Sequence, residues 1–356
     1  MGRVTLQTVA DKVGVSRMTV SNAFSRPDQL SDELRKKVLA AAEELGYWGP
    51  DPSGRALARG RSGAVGVMLT DNLQHAFTDQ FATVLMAAIA DELAPTGLAL
   101  TLLTAVNPGE ALAARDVALD GAMVFSCSDS LVSVDWLRRR RLPIVFIDQE
   151  PQPEDTCVNI DEVGGARASA EHVLALGHTR IAVLTAHHGE PMGPLPIDTL
   201  KRATYTTRTR TMGFIDALVE SGIEPIVVNA GRTNAEAGAA AAEVFLRGAD
   251  RPTAVLCFAD VIAAGVLRTA RQVGIDAPGE LSIVGFDDAP FAATTTPPLT
   301  TVHQDVAGKG RTAVELLKQL IEAKAAGEEL APTHVVLPTR LVVRDSTAPS
   351  HDPVGV

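Results

Sequence analysis

The sequence predicts an N-terminal all-α head built on a helix-turn-helix, followed by a two-lobed α/β core of two open parallel sheets with crossovers. Three observations lead there. Residues 5–25 carry two short amphipathic helix patterns separated by a glycine. From residue 64 short apolar runs alternate with helical patterns, which is how a parallel sheet covered on both faces reads. Near residue 164 the alternation starts again, so there are two such units.

In the first helix Leu6, Val9, Ala10 and Val13 share one face at i, i+3, i+4, i+7 spacing. Thr5 is its expected N-cap, and Val4 and Val9 stand as a hydrophobic staple. Gly14 sits where the chain reverses, because glycine takes positive φ without a Cβ clash. Ser16 is expected to cap a second helix whose Val20, Ala23 and Phe24 face inward. Met18, Ser21, Asn22 and Ser25 then fall outward, with Arg17 at the N-terminal end. A third helix over 31–45, striped by Leu34, Val38, Ala41, Ala42 and Leu45, closes a small core and leaves Arg35, Lys36 and Lys37 in solvent.

The outward face of the second helix carries chemistry suited to DNA. A recognition helix enters the major groove with its N-terminal residues nearest the bases. Arg17 is able to grip guanine in two places, Asn22 suits adenine, and Met18 packs on a thymine methyl. Ser16, Thr19 and Ser21 offer hydroxyls to phosphates. Taken alone, the same pattern also describes an ordinary surface hairpin. Residues 50–62 follow, with Asp51-Pro52 as a cap signature, Arg55, Arg59 and Arg61, and Leu57 among them. A helix that short is marginal alone, so this hinge is expected to fold against a polyanion. There Leu57 is placed to wedge between base steps.

The formal charge of −11 is unevenly spread. Residues 1–62 hold 10 Lys+Arg and 7 Asp+Glu, a net of +3 that leaves −14 on the rest. A basic head on an acidic body fits a nucleic-acid module joined to a separate domain. A hydrophobic content of 46% argues against disorder, no apolar run reaches membrane-span length, and no secretory signal is visible. Cys127, Cys157 and Cys257 are far apart near apolar runs and read as buried free thiols in a reducing cytoplasm.

In the core, strands are expected at 64–69, 98–104, 121–126 and 143–147, and again at 180–185, 225–229, 254–258 and 282–286, with helices between them and at 308–323. Extended segments occupy 332–344, and crossovers between the lobes are expected near 160, 290 and 325–335. The organisation is thus a head at 1–49, a hinge at 50–62 and a core at 63–345. Within the core, one lobe covers about 63–160 and 290–325, the other about 161–289 and 326–345, with a disordered tail at 346–356. Ligands of open α/β sheets bind beyond the strand C-terminal edges. Thr70, Asp71, Ser126, Asp148, Asp161, Asp260 and Asp287 are the polar groups there, although a carboxylate after a strand equally serves to cap the next helix.

The order of these parts resembles the lactose-repressor (LacI/GalR) family of bacterial transcription regulators over almost the whole chain. The resemblance rests on Thr5-Leu-Gln-Thr-Val-Ala10, Gly14-Val-Ser-Arg-Met-Thr-Val-Ser21, Arg55-Ala-Leu57, Leu176-Gly-His-Thr-Arg-Ile181, Val284-Gly-Phe-Asp-Asp288 and Pro298-Leu-Thr-Thr-Val302. It implies a periplasmic-binding-protein-like core, a homodimer and a roughly palindromic double-stranded operator. It also implies a small-molecule effector, a sugar or nucleoside, in the cleft. The DNA-contacting candidates are Thr5, Ser16, Arg17, Met18, Thr19, Ser21, Asn22, Arg55 and Leu57. The effector candidates are Thr70, Phe77, Asp161, Arg210 and Asp287, joined by Ser126 from the strand-edge reading.

Three departures stand out. Ala259 occupies a position where the family usually has asparagine, Asp51 one where asparagine is common, and residues 187–207 form an unusually long connection, a lid or a solvated loop. Two other classes share some of these features. A transport-type solute-binding protein shares the two-lobed body but not the helix-turn-helix. An enzyme is disfavoured: residues 307–312 lack phosphate-loop spacing, and His187-His188 with His172 and His178 make a poor metal set. No cofactor, metal or membrane partner is expected.

Overall fold

The computed structural model describes residues 4–49, 56, 60–69, 77, 79–104, 112–125, 132–247 and 250–351. The chain divides into two units, Met1–Gly63 and Ala64–Val356.

In the first unit α1 spans Leu6–Val13, α2 Arg17–Ser25 and α3 Asp32–Glu44. Each starts where a side chain satisfies an orphan amide: Thr5, Ser16 and Ser31 accept from the N–H groups of Thr8, Thr19 and Leu34. Thr8 in turn accepts from the Thr5 amide at 3.3 Å, closing a capping box with threonine in place of the usual glutamate. Gly14 takes φ 79° and ends α1. Val9, Ala10, Val20, Ala23, Val38 and Ala42 form the core, ringed by Leu6, Val13, Phe24 and Leu34. Arg35 departs from expectation. It is half-buried, and its Nε donates to Ala23 O at 3.4 Å, tying α3 to the last turn of α2.

The second unit holds two parallel sheets. In the first lobe the order is β12-β5-β4-β3-β1-β2, with β1 Ala64–Leu69, β2 Ala99–Thr104, β3 Gly121–Phe125, β4 Ile144–Ile147, β5 Thr156–Ile160 and β12 His334–Leu337. In the second it is β10-β9-β6-β8-β7, with β6 Ile181–Thr185, β7 Gly193–Pro194, β8 Ile226–Asn229, β9 Ala254–Cys257 and β10 Ser282–Val284. Every pairing is parallel except the short β7 on β8. β11 Thr301–Gln304 and β13 Thr339–Val342 form an antiparallel ribbon.

Helices cover both faces. α4 Gln80–Leu93, α5 Leu112–Asp116, α6 Val132–Arg139 and α11 Val306–Ala326 serve the first lobe. α7 Glu162–Ala175, α8 Tyr205–Glu220, α9 Ala235–Leu246 and α10 Asp260–Gln272 serve the second. α9 and α10 touch backbone to backbone. A Cβ on Gly265 would lie 2.2 Å from Ala235 O, and one on Gly238 2.4 Å from Ile262 O, so only glycine fits at either position.

The structure moves several expected boundaries. The crossover near 160 is present between β5 and α7, but the other two lie at 304–306 and 337–339. Residues 300 and 303 still bridge to Val284 and Asp287 of the second lobe, so the stretch before Val306 does not belong to the first. β12 extends the first sheet beside β5 rather than joining the second lobe. The 21-residue α11 leads from β11 into this edge strand.

The connection at 187–207 is not a solvated loop. It contains β7 and a 3-10 turn, Ile197–Arg202, and it buries His187, Leu195 and Leu200. Nor are residues 346–351 a disordered tail. Ser346 is fully buried, donating to Ile283 O at 2.6 Å and accepting from Thr300 N at 2.8 Å, while Ser350 N reaches Leu176 O. The polarity that suggested disorder is used to satisfy the edge of the second sheet. Cys157 and Cys257 are buried, and Cys127 lies outside the described residues. Among the described residues no helix is long and apolar enough to cross a membrane.

Candidate functional site

On the head, α2 presents Arg17 and Met18 to solvent, Met18 with 69% of its surface exposed. Arg17, Met18, Ser21 and Asn22 lie within an arc of about 140° at the helical repeat, opposite Val20 and Ala23. The hydroxyls are partly committed. Thr5 is engaged with Thr8, and Ser16 Oγ lies 2.9 Å from Thr19 Oγ1, so one of those two protons is shared between them. Ser21 is half-buried, and its carbonyl accepts from Ser25 Oγ at 2.8 Å. Asn22 Nδ2 donates to Gln29 Oε1 at 3.1 Å. Gln29 lies on the 3-10 turn Pro27–Gln29 and orients this amide. Sequence reasoning missed it, because a residue on an irregular turn has no periodicity to mark it. Arg55 and Leu57 lie outside the described residues.

In the body, the neighbours Asp161 and Glu162 do different work. Asp161 is exposed and caps α7, its Oδ1 accepting from Gly164 N at 2.8 Å. Glu162, one residue on, is 2% exposed and meets Arg210 on α8, with Nε–Oε2 at 2.6 Å and Nη2–Oε1 at 3.1 Å. Gly213 makes this possible. A Cβ there would stand 2.9 Å from Ala166 Cβ, so α7 and α8 approach closely enough for the two side chains to pair. Arg210 also donates to Phe258 O at 2.7 Å and lies over the ring of Phe286, 3.7 Å from its centroid. It also reaches Asp287 Oδ1 at 3.4 Å.

Asp287, at φ 115°, accepts from Gln304 Nε2 at 2.6 Å. Burial pushes its carboxyl up to about 7, against the pull of Arg210 and Gln304. Gln304 Oε1 in turn accepts from Lys309 Nζ at 3.0 Å, and Lys309, fully buried on α11, holds Asp148 at 2.6 and 2.7 Å. A continuous polar chain therefore runs Asp148–Lys309–Gln304–Asp287–Arg210–Glu162, from the first lobe to the second. Burial raises Glu162 despite Arg210, as expected for a carboxylate kept from water.

Asp260 is structural. Its oxygens accept from Ala289 N at 2.7 Å and Thr301 Oγ1 at 2.5 Å, and burial and the nearby Asp287 hold its carboxyl well above the usual range. Ala259 is the N-cap of α10 and supplies no side-chain hydrogen bond. Phe77 is 70% exposed. Thr70, Asp71 and Ser126 lie outside the described residues. Glu162, Gln304 and Lys309 were not singled out in the sequence. Each sits on a helix or strand as an unremarkable polar residue until its distant partner is in place.

Two further residues beyond strand ends are held alike. Asn159 on β5 accepts from Gln149 N at 3.1 Å and donates to Gln149 O at 2.9 Å. Asn229 on β8 accepts from His187 N at 2.7 Å and donates to His187 O at 3.0 Å. Among the described residues no group of three or more His, Cys, Asp or Glu is placed to hold a metal ion.

Comparison with known proteins places these features in context. Residues 5–49 match the model of bacterial regulatory proteins of the lacI family, and 170–347 match that of a periplasmic binding protein-like domain. An HTH-type transcriptional regulator of Mycolicibacterium smegmatis is 38% identical over 332 residues, 88% of this chain and 90% of that protein. The crystal structure of the Lac repressor dimer bound to operator and the anti-inducer ONPF is similar at a TM-score of 0.78 and 26% identity, covering 98% of this chain and 100% of that one. A CelR–cellobiose complex is similar at a TM-score of 0.70 and 27% identity, covering 97% and 100%. The expected head and two-lobed core are both borne out by these matches.

Proposed function

Because this chain belongs to the lacI family of bacterial regulatory proteins and is a DNA-binding transcription regulator, we propose that it represses transcription as a homodimer on a roughly palindromic operator, with a sugar held between its lobes tuning that grip. The observation that carries the proposal is the buried polar chain from Asp148 to Glu162. It joins the lobes through charged groups, so a ligand that disturbs one link changes the balance between lobe arrangements. Arg17, Met18 and Asn22 read bases, with Thr5, Ser16, Thr19 and Ser21 against phosphates. Arg55 and Leu57 act in the minor groove, Leu57 as a wedge. Asp287 and Arg210 form the centre of the effector site, with Thr70, Phe77, Ser126 and Asp161 around it. The sugars in the Lac repressor and CelR complexes support the choice of ligand class.

The test is to select operators from random duplexes with the full chain, then titrate the complex with sugars. The expected result is a two-fold-symmetric site whose affinity changes about 5–150-fold on sugar binding, the range of a coupling of 1–3 kcal/mol. Selection of no consensus would end the operator assignment. An affinity that no sugar alters would end the effector assignment.

A further inference from the structure

Gln149 and His187 occupy equivalent places in the two lobes. Each lies two residues beyond the C-terminal end of a parallel strand, Gln149 after β4 in the first lobe and His187 after β6 in the second. Each has its peptide clamped at both N–H and C=O by a buried asparagine on the neighbouring strand. Each is itself more than nine-tenths buried, at 3% and 7% exposure. And each keeps one buried nitrogen, Gln149 Nε2 and His187 Nε2, with no hydrogen-bond partner. His187 Nδ1 accepts from Gly189 N at 3.3 Å, which leaves the proton on Nε2. Both orphan atoms are therefore donors. Buried donors without partners are rare, because each forfeits its hydration for nothing.

A short path of contacts brings the two together. Glu150, next to Gln149, pairs with Arg208 on α8. Thr207, next to Arg208, donates to the carbonyl of Ala186 at 3.1 Å, and His187 follows Ala186. The charges nearby are already matched: Arg208 by Glu150, Arg210 by Glu162, Lys309 by Asp148. None of these three cations is left over to receive a phosphate or carboxylate. Two neutral donors, one on each lobe, suit the oxygen atoms of an uncharged ligand.

We propose that Gln149 Nε2 and His187 Nε2 are opposed donors that grip an uncharged, hydroxyl-bearing effector from the two lobes. The inference rests on the sugar-binding reading above and adds to it the two residues, their roles and the exclusion of anionic sugars. The donors are kept unsatisfied in the empty protein by the asparagine clamps and are satisfied when a ligand bridges them. Ligand binding then favours whichever lobe arrangement lets both donors reach it.

The experiment measures binding of D-ribose, D-glucose, cellobiose, ribose 5-phosphate and glucose 6-phosphate to the full chain by calorimetry, with melting temperatures of the ligand-free proteins. Gln149→Met deletes its donor while keeping shape, and His187→Asn withdraws the donor from the Nε2 position while its amide oxygen still offers an acceptor to Gly189. His187→Gln keeps a nitrogen near the Nε2 position. A neutral sugar is expected to bind, and each deletion is expected to weaken it about tenfold or more, the loss of one matched hydrogen bond. His187→Gln restores part of that loss. The ligand-free melting temperature stays level or rises in Gln149→Met, since an unsatisfied donor is removed.

Wild-type affinity in both deletions overturns the inference while leaving sugar binding intact. A fall in the melting temperature of Gln149→Met that accompanies its lost affinity also overturns it, by showing a structural role. Tighter binding of a sugar phosphate than of its parent overturns the uncharged class. Binding of none of the five overturns the sugar reading itself, and this inference with it.

Discussion

The head and the body place their working groups in opposite ways. On the head, Arg17 and Met18 stand in solvent, and the polar partners of their neighbours lie three to seven residues away. In the body, the candidate effector groups are buried, and their partners lie 48, 77 and 161 residues away, at Glu162–Arg210, Arg210–Asp287 and Asp148–Lys309. The head holds its fold with caps and a small apolar core, so Arg17 and Met18 are free of structural duty. In the body the same charges that would sense a ligand also hold the lobes together. A change at Arg17 or Met18 should therefore alter binding without altering stability, and a change among the charged groups of the body should alter both.

The sharpest challenge to this contrast is Lys309→Met. It leaves Asp148 buried without its cation, which costs about 3–5 kcal/mol, read as a lower urea midpoint. Replacing Asp148 by Asn in the same chain should recover much of the loss. If the single variant unfolds like the wild type, the pair is not holding the lobes.

Arg17→Ala tests the other side. It should cost about 1–3 kcal/mol at one operator position and relax preference there, with the melting temperature unchanged. Equal weakening on every sequence would assign Arg17 to phosphate contact instead.

The dependence on pH sharpens the contrast further. Burial holds the Asp287 carboxyl up at about 7, whereas an unfolded aspartate titrates near about 4. The folded chain binds that proton more tightly, so the stabilisation is fully present below about pH 4 and is lost as pH rises through about 7. Asp260, raised by burial and by Asp287, adds in the same direction. Asp288 opposes: burial raises it, but hydrogen bonds from Arg344 and His303 outweigh that and hold it low, so its contribution fades only at lower pH. Melting of the wild type should decline between pH 4.5 and 7, by no more than about 1.4 kcal/mol per unit for each such group. Asp287→Asn should flatten the decline, and an unchanged slope would remove Asp287 as its source.

Smallest is Ala259→Asn. Ala259 has φ −150° and ψ 155°, the extended geometry of an N-cap, but has no side-chain acceptor for the amides of α10. Asparagine there should add about 1 kcal/mol of stability. A loss would show that this buried site has no room for the larger side chain.

The same division explains what was legible beforehand. Thr5, Gly14, Ser16 and the Leu6/Val9/Ala10/Val13 stripe act within one or two helical turns, so their spacing alone identified the helix-turn-helix. Alternating apolar runs likewise gave away two parallel sheets, since strands buried on both faces need continuous hydrophobic stretches. Boundaries between the lobes were less visible. Polar residues 346–350 looked unstructured because nothing local shows that Ile283, Thr300 and Leu176 await them at a sheet edge.

By itself, then, the sequence determined the reading helix, the strand and helix order and the division of charge between head and body, because each depends on neighbours along the chain. Only the tertiary structure decided that Asp161 caps while Glu162 pairs, that Lys309 completes Asp148, and that Gln149 and His187 keep spare donors. The physical reason is the desolvation of buried polar groups. Its cost depends on which partners the folded chain brings within about 3 Å, and hydrogen-bond partners so distant in sequence leave no periodic trace.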